Sequence, residues 1–467
     1  MSIRLIHDRK PMYRVCCALF CLLSLVAGAA DMSKTLRVAF PVDVTGFDPQ
    51  VTQDLYSAYV ERAVFDPLLT YDHLQRPYRL VPNTAAALPE VRDGGRTIVV
   101  RLRPGIHFAP DPVFNGRPRE LIADDYVFSW KRLIDPAVAS PNLYILEDKL
   151  IGAEALIAEA KKTGKFDYDA KLEGLQAIDR YTLQLKLKNP DYGLLDYMTT
   201  TQLSAVAREV IAAYGTKPNT WTQDHPVGTG PYYLKEWRRG SKLILEPNPE
   251  FRDVRFPETG EPADAALIQA YKGRKLPLVG RVDVAIIEES NPRLLAFKSK
   301  EIDYLYIPTD LVNQVIDGGR LREEYVKSGV RWSRELEASL QYTYFNMEDP
   351  LVGGYTPDRI ALRRAIVMGY DVAEEIRVIR NGQGMPASQP VPPGLTGHDL
   401  KLKAANRHDP AAARALLDRF GYRDRNGDGY RELPDGRPLT IRMGSTPDSL
   451  HRLQDELWTK NMNAIGI

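Results

Sequence analysis

Cysteine is nearly absent from this chain of 467 residues: it has three, Cys16, Cys17 and Cys21, all inside the apolar run of residues 15–27. If that run is removed on export, no thiol and no disulfide remain, and stability rests on burial alone. Long hydrophobic stretches are also missing, since residues 15–27 fall well short of the ~20 that a membrane span requires. Charge of one sign is lacking too, with 62 Lys and Arg against 61 Asp and Glu. That balance disfavours nucleic acid as a partner, which needs a basic face. No HExxH, GxSxG, GxxxxGK[ST] or GxGxxG motif occurs, and His73, His107, His225, His398, His408 and His451 never pair at ligand spacing. The sequence therefore offers nothing positive for an enzyme or a cofactor, and its histidines offer nothing for a bound metal.

What is present begins with an export signature. Arg4, Arg9, Lys10 and Arg14 precede the apolar run, and Ala27-Gly28-Ala29-Ala30 supplies small residues for cleavage after Ala29 or Ala30. Residues 1–30 are expected to be a signal peptide, and their loss shifts the net charge from +1 to about −2. Phe20 before Cys21 and Val15 before Cys16 argue against lipidation, which needs small residues there. A cysteine-free exported chain fits the periplasm of a Gram-negative cell.

The remainder has the composition of an ordinary globular protein, 44% hydrophobic, long enough for two or three domains. Residues 36–40 read as a first strand, and residues 54–65 as a helix with Leu55, Tyr59 and Ala63 on one face. Strand 96–102, helices 123–133 and 153–162, and the strictly alternating strand 181–187 follow. Asp124 and Asp125 suit the positive end of the first of these helices. Helix 203–214, strand 282–288, helix 291–300 and strand 302–307 come next, with residues 252–281 expected to be a solvated loop excursion. Beyond them lie a strand at 342–346, helices 359–368, 372–381 and 410–420, a strand at 439–443 and a helix at 449–465. Gly466 stands where a glycine would cap that helix and release another strand, so the sequence reads as truncated.

The most distinctive stretch is HPVGTGPYYLKEWRRGSKLILEPNPEF, residues 225–251, which writes a turn, an aromatic strand, a second turn and a second strand in order. Together with RLRPGIHFAPDPVFNGRPRELIADDYVFSWKRLIDPAVASP at 101–141, YFNMEDP at 344–350 and DRIALRRAIVMGYDVAEEIRVIRNGQGMPASQPVPPG at 358–394, it resembles the extracellular solute-binding proteins, family 5. These are the oligopeptide and dipeptide capture subunits of ABC importers.

The resemblance implies an α/β, periplasmic-binding-protein-like fold of the type II, cluster C architecture: two lobes with mixed sheets and a peripheral subdomain. It divides the chain into a first lobe at 35–67 and 188–338, the subdomain at 68–187, and an incomplete second lobe at 339–467. It also implies a monomer that binds a peptide or other small solute and delivers it to inner-membrane ABC permease subunits with their ATPases. The alternatives on the same fold are a periplasmic chaperone or sensor, or a receptor for nickel, an opine or haem. Ligand-binding positions carried over are Val44, Phe47 and Asp48, Tyr144, the turn Gly228, Thr229 and Gly230, the crossing residues Tyr344 and Asn346, and Arg363, whose guanidinium suits a ligand carboxylate.

One loop has calcium-like spacing. DRNGDGYRELPD sets Asp424, Asn426 and Asp428 at alternate positions and Asp435 where an EF-hand has its bidentate Glu. Arg425 and Arg431 dilute its charge, and a plain turn of Asx type explains the composition as well.

Overall fold

The computed structural model describes residues 2–7, 31–75, 78–215, 225–395, 397–404 and 407–467. The apolar run 15–27 and all three cysteines lie outside the described residues. The chain divides into two compact units, one of Met1–Pro11 with Tyr304–Ile467 and one of Met12–Asp303. The sequence reading puts its change of lobe at 338/339; the division falls at 303/304.

The first described strand, β1 (Ser2–His7), belongs to the unit that also holds Tyr304–Ile467. In the other unit, β2 (Asp31–Phe40) leads to α1 (Leu55–Val64), the small ladder β3 (Leu69–Tyr71) with β4 (Leu80–Pro82), and strands β5 (Glu90–Arg92) and β6 (Thr97–Arg101). Helices α2 (Ala123–Ile134) and α3 (Ala153–Thr163) precede β7 (Leu175–Asp179) and β8 (Thr182–Lys186). Then come α4 (Leu194–Tyr197), α5 (Arg208–Tyr214), β9 (Tyr232–Arg238), β10 (Lys242–Pro247), α6 (Ala265–Tyr271), β11 (Val279–Ile286) and α7 (Ser290–Lys298).

Two four-stranded sheets organise this unit, β2-β11-β10-β9 and β5-β6-β8-β7. The first is mixed, with β2 and β11 parallel and the other pairs antiparallel; the second is wholly antiparallel. The alternation in β8 does what its period predicts, turning Leu183 and Leu185 fully inward while Gln184 and Lys186 remain partly exposed. In α2, the Asp125 carboxylate accepts from the Ile122 amide at 2.9 Å, satisfying a donor the helix start leaves open, while Tyr126 and Trp130 fill the core. A single apolar cluster runs from Val44 to Val284 across both sheets.

The unit with β1 carries β12 (Tyr304–Tyr306), α8 (Val312–Val315), the pair β13 (Ile316–Asp317) and β14 (Arg320–Leu321), α9 (Glu323–Lys327) and β15 (Val330–Glu335). Strand β1 lies between β12 and β15, antiparallel to both. Helices α10 (Pro357–Gly369), α11 (Val372–Glu374), α12 (Pro410–Arg419) and α13 (Ser449–Asn463) complete it. Asp409 and Asp448 cap α12 and α13 by accepting from the amides of Ala412 and His451. No helix among the described residues is long and apolar enough to cross a membrane.

Several expectations are corrected. The helix expected at 203–214 starts at Arg208, because the preceding chain is stitched to α2: Ser129 Oγ accepts from the Val206 amide and Trp130 Nε1 donates to the Leu203 carbonyl. Residues 252–281 are not a bare loop, since they hold α6 and the start of β11. The helix expected at 372–381 is the single turn α11 followed by a wider π-type turn, Glu375–Ile379. Residues 342–346 and 439–443 form no strand, as no described segment supplies the ladder of backbone hydrogen bonds that would make them one.

Candidate functional site

The loop of residues 41–48 joins β2 to the segment before α1, and side chains brace it from several directions. Asp43 accepts from Gly240 N at 2.6 Å and Trp237 Nε1 at 3.3 Å, tying the loop to the β9–β10 turn. Thr45 donates its amide to Ser57 Oγ at 2.9 Å and its hydroxyl to Asp54 at 2.5 Å. Asp54 also accepts from Ser57 N at 2.8 Å as the N-cap of α1, so cap and loop share one carboxylate. Of the expected ligand residues, Val44 and Phe47 are buried, with Phe47 edge-on to Trp237 at 4.9 Å. Asp48 is buried too, held by Arg132 at 2.6 and 2.9 Å. They set the loop's shape from within.

What faces outward is the stripe that the sequence reading noticed without knowing its direction. Leu55 and Tyr59 are 56% and 49% exposed, while the residues α1 buries are Ser57, Val60, Glu61 and Val64. The helix is apolar on both sides: Val60 and Val64 pack into the core beside the buried acid, while Leu55 and Tyr59 look out. Phe40, Tyr56 and Tyr59 form an aromatic cluster with ring centroids 5.0 to 6.2 Å apart, flanked by exposed Val42. These residues escape a sequence reading that treats every apolar helical stripe as core; Ser57 and Glu61 at helical spacing on the opposite stripe are the signal that could have found them.

Behind this face lies a buried polar layer. Arg132 reaches Asp48 and Gln50 Oε1, and Gln50 Nε2 donates to the Ser204 carbonyl at 3.1 Å. Glu61 accepts from Thr201 Oγ1 at 3.0 Å through one oxygen, and its other oxygen finds no partner among the described residues. Burial, with Asp48 and Asp54 adding to it, outweighs the Thr52 and Thr201 hydroxyls and pushes the Glu61 carboxyl up to about 8.

The loop that carries Tyr144 is tied to the same region. Asn142 Nδ2 donates to the carbonyls of Gln50 and Thr52, Ser140 Oγ donates to the Gln50 carbonyl, and Gln53 Nε2 donates to the Pro141 carbonyl. Tyr144 is 54% exposed, its ring edge-on to Tyr197. Turn 228–230 sits elsewhere, at the far end of α1, roughly 15 Å along the helix axis at 1.5 Å per residue. A Cβ on Gly228 would meet the Val64 carbonyl at 2.1 Å and one on Gly230 the Ala63 carbonyl at 2.6 Å, so these glycines allow close backbone packing. Thr229 is buried and donates to Asp66 at 3.2 Å, a carboxylate that also holds Arg252.

In the other unit, Tyr344 is 79% exposed, with the Tyr342 ring 6.3 Å away. Asn346 closes a turn, its side-chain oxygen accepting from Glu348 N. Arg363 on α10 donates to the Val352 carbonyl. The calcium-like loop uses its own oxygens: Asp424 accepts from the amides of Gly427 and Gly429, Asn426 from Asp428, and Asp428 from Tyr430. Asp435 pairs with Arg437 at 2.8 Å. Among the described residues, no group of three or more acids, histidines or cysteines is placed to hold a metal ion.

The family model for bacterial extracellular solute-binding proteins, family 5, matches residues 79–467. The oligopeptide-binding protein OppA of Bacillus subtilis is 24% identical over 92% of this chain and 69% of its own length. A probable deoxycholate-binding periplasmic protein of Escherichia coli, YgiS, is also 24% identical, over 80% of this chain and 61% of its own. The solved structure of the oligopeptide-binding protein AppA from Bacillus subtilis, in complex with a nonapeptide, shares the fold with a TM-score of 0.67 at 17% identity, over 93% of this chain and 73% of that one. With the family model covering most of its length, the chain belongs to the bacterial extracellular solute-binding proteins, family 5.

Proposed function

We propose that this chain is the periplasmic capture component of an ABC importer, binding oligopeptides or similar small solutes and delivering them to inner-membrane permease subunits with their ATPases. The observation that carries the reading is the outward apolar stripe of α1 with its aromatic cluster, set on a loop whose backbone is braced by buried side chains. A rigid, half-apolar face of this kind suits ligand side chains of varied shape, which a receptor for many peptides must accept. Tyr144 and Tyr344 retain the exposure that ligand contact needs, whereas Val44, Phe47 and Asp48 act by holding the loop. The protein works as a monomer, releases its cargo unaltered, and reaches the periplasm through a signal whose removal near Ala29 or Ala30 takes strand β1 with it, leaving β12 and β15 without the strand between them.

Isothermal titration of the chain with peptides of graded length tests this reading. Saturable one-to-one binding of peptides supports it. Binding of deoxycholate or a nickel–histidine complex, with none of any peptide, would replace peptide by another solute.

A further inference from the structure

Helix α1 buries a carboxyl group where an apolar side chain would ordinarily sit. Glu61 is completely inaccessible, held by Thr201 Oγ1 through one oxygen, with the other oxygen unpartnered among the described residues. An ionised carboxylate in that setting would be a buried charge served only by neutral hydroxyls, Thr201 Oγ1 at 3.0 Å and Thr52, whose Oγ1 also donates to the Asp48 carbonyl, a costly arrangement. The charged groups that face it are of its own sign: Asp48, before the helix, and Asp54, its N-cap. Arg132 of α2 is committed to Asp48 and Gln50. The 3-10 turn Thr201–Leu203 presents the Thr201 hydroxyl, and Thr52 presents another. Strand β9, which also packs on α1, carries Lys235, Glu236 and Arg238, which pair with Glu246, Lys242 and each other. Asp66, beyond the C-terminal end of α1, is paired with Arg252.

We propose that Glu61 makes α1 a pH-sensitive strut: with its carboxyl protonated the helix seats on the Thr201–Leu203 turn, and loss of that proton unseats the helix together with the aromatic face and the loop it braces. Seat and face are coupled directly, because Ser57, four residues before Glu61, takes the Thr45 amide, and Asp54 takes the Thr45 hydroxyl. The inference does not depend on what the protein binds.

The sign follows from linkage. The ordinary value for a glutamate is 4.5, and the folded chain holds this group at about 8. Between those values the unfolded chain has released a proton that the folded chain retains, so raising the pH favours unfolding. The effect reaches up to about tenfold per pH unit in the unfolding constant and levels off once the pH passes the folded value. The stabilisation is fully present below 4.5 and gone above about 8.

Urea denaturation of the whole chain from pH 5.5 to 9, wild type against Glu61→Gln, reads this out. The expected result is a ratio of unfolding constants, wild type over variant, that grows by about a hundredfold or more across the range and flattens near its top. Hydrogen exchange at the amides of residues 55–65, corrected for intrinsic rates, is expected to lose protection in the wild type at alkaline pH and to keep it in the variant. If the amide variant does not fold, Glu61→Met makes the same comparison, and the infrared band of a protonated carboxyl in the wild type, present at pH 6 and lost by pH 9.5, is the independent reading. Parallel pH profiles for wild type and variant, or no such band at pH 6, overturn the proposal.

Discussion

The ion pair of Arg132 with Asp48 shows how a single residue is recruited away from the role its position suggests. Asp48 occupies a loop expected to face ligand, yet with no access to solvent its charge must be neutralised locally, and Arg132 from α2 does so at 2.6 and 2.9 Å. Replacing Arg132 by Met leaves the carboxylate buried without a cation. That change is expected to cost about 3–5 kcal/mol in chemical denaturation at neutral pH, whereas replacing both partners by apolar residues costs far less. A loss below about 1 kcal/mol for the single change would mean that the pair does not anchor the loop. The turn around Asp424 follows similar logic with a different readout. Asp424→Ala removes two amide partners and is expected to lower stability by about 1–2 kcal/mol, with a melting temperature that calcium or a chelator leaves unchanged. A calcium-dependent rise in the wild type, absent in the variant, would restore the metal reading of this loop.

Among the elements, α1 concentrates the proposal. Its outward residues should matter for binding and little for folding, the reverse of its inward ones. Tyr59→Ser is expected to weaken the affinity for a bound peptide about five- to fiftyfold in titration calorimetry. Its effect on stability should stay within about 0.5 kcal/mol, as for surface changes generally. Equal affinities for both proteins would remove the aromatic cluster from the ligand face. How far such elements can be read from sequence depends on whether their signal is local. Strand β8 was legible because alternation is written in five consecutive residues, and the β9–β10 hairpin because its turn residues are adjacent. The direction of α1 was not, since an apolar stripe has the same spacing whether it meets core or ligand, and only Ser57 and Glu61 on the other stripe betray it. Residues 342–346 and 439–443 have the composition of strands but no described partner, and a strand exists only through its neighbour. The start of α5 was displaced by side chains of α2 some 75 residues away, which no local window contains.

At the scale of the whole molecule, the chain divides into two compact units, shares its fold with solved solute-binding proteins and belongs to their family 5, and capture with release of unaltered cargo is the role proposed for it. The chain spans 69% and 61% of the two curated relatives it was compared with, and the family block covers residues 79–467 of it. The Glu61 strut adds a condition to that description, predicting a face best held below about pH 8. The measurement that bears most directly on capture without chemistry is native mass spectrometry of the whole chain incubated with a pool of peptides of mixed length. One-to-one complexes, with every peptide mass unaltered after prolonged incubation, are predicted. Absence of any complex at saturating peptide, or the appearance of cleaved peptide masses, would contradict the account.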